Sequence, residues 1–116
     1  MNQTQFVEAI RIAVIESSKN TIRSILHGPS GRQPKKEYVS LSHWFKDLSE
    51  ADKDMVYSII DETVETSVFG FLCVLDGVRA IESHQERGVL KLFYEKNEGD
   101  FLLNDPESPD FLHDLL

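Results

Sequence analysis

Val68 to Leu75 is an unbroken run of eight apolar residues, Val-Phe-Gly-Phe-Leu-Cys-Val-Leu, in a chain of 116. A segment with no polar side over two helical turns must be enclosed by other parts of the fold, so this run fixes where the core is built. It falls well short of the roughly 20 apolar residues that span a bilayer, and the amino terminus lacks the basic-then-apolar layout of a signal peptide. The sequence therefore reads as that of a soluble cytoplasmic protein with no membrane partner. The β-branched and aromatic residues of the run also suit a strand. Val78 and Ile81, however, with the polar Arg79, Glu82 and Ser83, continue a helical period up to Gly88, a natural C′ residue. The expectation is a central buried helix over about 68–86. Gly70 and Gly77, two turns apart on it, would let a neighbouring helix approach closely.

The elements around this helix follow from capping and periodicity. Asn2 with Gln5 forms a capping signal, and Phe6, Ile10 and Val14, then Ile22, Ile25 and Leu26, recur at helical spacing until Gly28-Pro29, giving a helix over Gln3 to His27. Ser30 to Lys36 combines Gly31, Pro34 and three bases without apolar period and reads as an exposed loop. Between Tyr38 and Leu48, Ser42 is expected to cap a short helical turn that plugs Trp44 and Phe45 into the core. Ser49 with Asp52 opens another helix, with Met55, Val56, Ile59, Ile60 and Val64 on its inner face and Asp54, Asp61, Glu62 and Glu65 on its outer one. Val89–Tyr94 and Asp100–Leu103 flank a polar stretch with Gly99 and read as a β-hairpin over about 89–103. Ser108-Pro109-Asp110 starts a short terminal helix. The fold class is α+β and mainly helical, with three to four helices around the central one, in a single domain covering 1–116; 41% hydrophobic content suffices for one core.

Charge narrows the function classes. Residues 1–53 hold eight bases against six acids, net +2, whereas residues 54–116 hold four against fourteen, net −10. A phosphate backbone requires clustered Lys and Arg, and the one such cluster is Arg32, Lys35 and Lys36 in the loop, so nucleic acid is not the expected partner. Glu95, Glu98, Asp100, Asp105, Glu107, Asp110 and Asp114 instead create a negative field over the end of the chain, suited to a basic protein partner. Tyr94, Phe101 or Tyr57 would supply desolvated anchors beside it. Asp61, Glu62 and Glu65 form a second acidic candidate. The plain alternative for both groups is a solvated surface that keeps the protein soluble.

His27, His43, His84 and His113 are scattered, and Asp110 with His113 is the only pair at ligand spacing, so no metal site is expected. Glu62 and Glu65 share a helical face but look exposed, whereas acid/base work needs two carboxylates in unlike environments. The single cysteine, Cys73, lies in the apolar run; it excludes an internal disulfide, suits a reducing compartment and reads as a small buried hydrophobe. The Gly28 to Lys36 segment has the wrong glycine and lysine spacing for a phosphate loop, and Pro34 removes an amide. No enzyme activity and no cofactor are expected.

The phrase Val68-Phe-Gly-Phe-Leu-Cys-Val-Leu-Asp-Gly77, with Gly88-Val-Leu-Lys-Leu-Phe-Tyr94, Leu102-Leu-Asn-Asp105 and Leu112-His-Asp-Leu-Leu116, resembles small acidic bacterial immunity proteins of polymorphic or contact-dependent toxin systems. The likeness covers the second half of the chain and carries over no functional residue. It implies a stoichiometric inhibitor that binds a cognate toxin and covers or distorts its active site, an acidic surface suiting a toxin with a basic cleft. The basic loop departs from that pattern. The rival reading is a structural protein that self-associates, for example as a homodimer, through apolar surface between Val68 and Val78.

Overall fold

A computed structural model describes residues 1–116. The elements in chain order are α1 (Gln3–Ile10), a π-helical stretch (Arg11–Glu16), α2 (Ser17–His27), α3 (Lys36–Lys46), α4 (Glu50–Leu75), β1 (Phe93–Lys96), β2 (Gly99–Leu102) and α5 (Leu112–Leu115). The fold is α+β and mainly helical, with one antiparallel hairpin near the carboxyl end, as the sequence predicts. Its contacts fall into two units. Residues 1–14 and 66–116 form one, and residues 15–65 the other.

Asp76-Gly77, and not Gly88, ends the longest helix. Gly77 takes a positive φ of 78°. Its N–H donates to the Val74 carbonyl (3.1 Å) and that of Val78 to the Cys73 carbonyl (3.0 Å), which together make a Schellman cap. The helix expected to run on to residue 86 therefore stops at Leu75, and residues 76–92 are irregular. At its other end it begins at Glu50, capped by Ser49, whose Oγ accepts from Asp52 N (3.1 Å), so the two helices expected on either side of residue 67 are one helix of 26 residues. The space at Gly70 is taken by the Arg79 guanidinium rather than by a helix.

In the unit of residues 1–14 and 66–116, Val7, Leu72 and Leu112 form the buried core, with Phe6, Val68, Leu75, Leu115 and Leu116 against it. Only part of the apolar run is enclosed. Gly70, Leu72 and Cys73 are buried, whereas Phe69 and Phe71 are exposed, Phe71 at 62%. The Asn2 capping box is present, with Asn2 Oδ1 accepting from Gln5 N (2.8 Å) and Gln5 Oε1 from Asn2 N (3.0 Å). Asn104 is the polar centre of this unit. Its Nδ2 donates to the carbonyls of Leu75 (2.5 Å) and Leu90 (2.9 Å), and its Oδ1 accepts from Leu92 N (2.8 Å). One buried amide thus joins the end of α4 to the approach of β1. Asp76, with a side chain only 1% exposed, accepts from Leu112 N (3.1 Å), His113 N (2.9 Å) and His113 Nδ1 (2.7 Å). This carboxylate at the positive end of α5 explains why that helix starts at Leu112 and not at Ser108-Pro109.

In the unit of residues 15–65, Ile15, Leu26 and Phe45 are buried. Ile15, rather than Val14, is the inward residue because the π-helical stretch widens the turn and moves the inner face from Ile10 by five residues instead of four. The segment expected to hold one capped turn is the full helix α3, whose inner stripe of Tyr38, Ser42 and Phe45 leaves Trp44 outside at 54% exposure. On α4 the inner positions are Val56, Ile60 and Val64, and Met55 and Ile59 point to solvent. The expected apolar face was thus one position too wide.

Candidate partner-binding surface

The acidic carboxyl-end residues fall in three settings. Glu95 and Asp100 face each other across the hairpin, in register with Phe93↔Leu102, Tyr94↔Phe101 and Lys96↔Gly99. Directly opposed residues share a face, so Glu95, Asp100, Phe93 and Leu102 lie on one side and Tyr94, Phe101 and Lys96 on the other. Glu98 stands with Asn97 in the connecting turn, closed by Gly99 at φ 124°. Glu95, Glu98 and Asp100 are all exposed, and so are Phe93 and Phe101, while Tyr94 is half-buried. The hairpin thus presents three carboxylates with aromatic surface beside them.

The other carboxylates of this group divide between structure and solvent. Asp105 Oδ1 accepts from Glu107 N (2.9 Å) and the Asp105 carbonyl from Ser108 N (3.1 Å), a turn built on its own side chain. Glu107 and Asp110 are exposed. Asp114 lies 3.3 Å from His113 Nε2. His113 is held by Asp76, stacks on Phe111 (5.6 Å) and meets Phe69 edge-on (5.6 Å), so its carboxylate partners are Asp76 and Asp114 rather than Asp110. No group of three or more His, Cys, Asp or Glu side chains is placed to hold a metal ion.

The second acidic candidate is largely engaged. Arg23 Nη2 donates to both carboxylate oxygens of Asp61 (3.1 and 3.0 Å), and Lys19 Nζ lies 3.5 Å from Glu65. Glu62 remains exposed. Tyr57, a candidate anchor, lies under the Arg23 guanidinium at 4.4 Å, has its hydroxyl 2.8 Å from His27 Nε2 and packs against Phe45 at 5.4 Å. Expected together on the outer face of the helix, Asp61 and Glu65 instead meet cations of α2, of which the sequence spacing carries no sign, and Glu62 alone stays exposed.

Sequence reasoning missed Asp76 and Asn104. Both stand beside apolar stretches, and only the three-dimensional meeting of α4, the hairpin approach and α5 shows their partners. Cys73 is buried and free, and no helix is long and apolar enough to cross a membrane. Comparison with family models, characterised proteins and solved structures returns no match.

Proposed function

We propose that this protein is a non-catalytic binding module of the immunity type, which inhibits a basic toxin domain through the acidic hairpin and the carboxylates that follow it. The observation that carries the reading is the register pair Glu95↔Asp100. Like charges directly opposed across two strands weaken a hairpin, and a two-stranded hairpin is marginal already. The fold gains nothing from the pair, whereas a cationic partner would relieve its repulsion. Phe93, exposed on the same side of the hairpin, offers the apolar contact that turns electrostatic encounter into a lasting complex, and Phe101 is exposed on the other side. Asp61, Glu62 and Glu65 are the lesser contribution, because two of them already pair with Lys19 and Arg23.

Glu95→Lys tests the reading. It replaces a like-charge pair with an opposite one, so hairpin stability should rise by roughly 0.2 to 1 kcal/mol in chemical denaturation, while affinity for the product of the adjacent reading frame falls. A variant that is stabilised yet binds that product as well as before would contradict the proposal.

A second reading, self-association, is favoured by the exposure of Phe69, Phe71, Val78 and Ile81 in and after the apolar run. Light scattering separates the two. A monomer at micromolar concentration removes self-association; a dimer whose formation is lost in Phe71→Ser supports it.

A further inference from the structure

A cavity of about 370 Å³ opens beside the carboxyl end of α4, within the unit of residues 1–14 and 66–116. Its volume lies in the roughly 300 to 1,000 Å³ range of small-molecule sites. Leu75, Ile81, Leu90 and Pro106 line it with apolar surface, and Asp76, Arg79, Glu82, Arg87 and Asn104 are the polar side chains that complete it. Asn104 has both amide hydrogens committed to the Leu75 and Leu90 carbonyls, so it has no donor left for a ligand. Glu82 accepts from Gly88 N (3.1 Å), and Asp76 is turned to α5 and His113. Recognition of a polar group therefore falls to the arginines.

Neither arginine meets a carboxylate, in a chain with 20 acids against 12 bases. Arg87 donates one Nη2 hydrogen to the Gly77 carbonyl, which leaves the remainder of its guanidinium fork. Arg79 lies with its guanidinium against the α4 backbone at Gly70, in the space that any Cβ at that position would need. A glycine inside a helix costs stability, and here it allows a cation to sit against the helix with no acceptor of its own. Arg79 and Arg87 both line the cavity, and two cations that no carboxylate engages match an anion carried on an apolar body.

We propose that this cavity binds a small amphipathic carboxylate, with its anionic end at Arg79 and Arg87 and its apolar body against Leu75, Ile81 and Leu90. The site is separate from the acidic hairpin surface and stands or falls independently of it.

Titration of the nitrogen-labelled protein with octanoate, and with octanol as the uncharged counterpart, tests it by the amide shifts of Val74, Ile81, Leu90 and Asn104. Octanoate should saturate those shifts, and octanol should bind about tenfold more weakly, the worth of one charge-assisted hydrogen bond. Arg79→Gln should weaken octanoate by a similar factor and leave octanol unchanged. Gly70→Ala should do the same by displacing the guanidinium while leaving thermal stability equal or higher, since alanine is the better helix former. Glu82→Gln, which removes a like charge, should tighten octanoate, a gain that unfolding cannot mimic. Absence of saturable shifts at those amides, octanol binding as tightly as octanoate, or octanoate affinity unmoved by Arg79→Gln and Gly70→Ala would each overturn the proposal.

Discussion

Asn104 is the residue on which the most backbone depends. Three main-chain groups from two distant stretches are satisfied by its one amide, all in part-buried surroundings, where a group left unpaired and shielded from water costs roughly 1 to 3 kcal/mol. Asn104→Ala should therefore destabilise the protein by about 1 to 3 kcal/mol in urea denaturation, whereas Asn97→Ala, in the exposed hairpin turn, should be close to neutral. At this scale the sequence was legible where a residue acts on its near neighbours. Asn2 with Gln5 and Ser49 with Asp52 cap the helices they were expected to cap, because the partner lies three positions away. It was illegible where the partner lies far along the chain: Asn104 bonds to Leu75 across 29 positions and Asp76 to His113 across 37.

Elements were legible in type and less so in extent. Helix, loop and hairpin were each expected in the right order, but Val78 and Ile81 prolong an apolar period past Leu75 and hide the end of α4. A glycine two residues after the last buried turn can be either a small helical residue or a C′ cap. Gly77 proves to be the cap, because the Asp76 carboxylate is needed at the start of α5. The first helix shows the reverse case, a correct span with a shifted inner face, since a π-helical stretch adds a residue to the turn without any signal in the apolar spacing. That shift is measurable. Ile15→Ala should cost about 2 to 5 kcal/mol by leaving a cavity, and Val14→Ala less than about 1 kcal/mol. An uninterrupted α-helical register would place the larger loss at Val14.

For the whole molecule, charge is the property that the sequence displays most openly and the fold rearranges most. The net charge of −10 over residues 54–116 is visible in the sequence alone. What the fold adds is a sorting: Asp61, Glu65, Asp76 and Asp105 are engaged in ion pairs, caps or turns, while Glu95, Glu98 and Asp100 stand together on an exposed hairpin. On the proposed function these three carboxylates steer a cationic protein partner. The most direct test is the association rate with the product of the adjacent reading frame, measured from low to physiological salt for the natural chain and for a Glu98→Lys, Asp100→Lys variant. Screening over about 8 to 10 Å acts mainly on the encounter, so the natural chain should associate several-fold more slowly at physiological salt with little change in dissociation. The variant should associate slowly at every salt concentration. An association rate that neither salt nor charge reversal moves would contradict the claim and leave the acidic hairpin as a solvated surface.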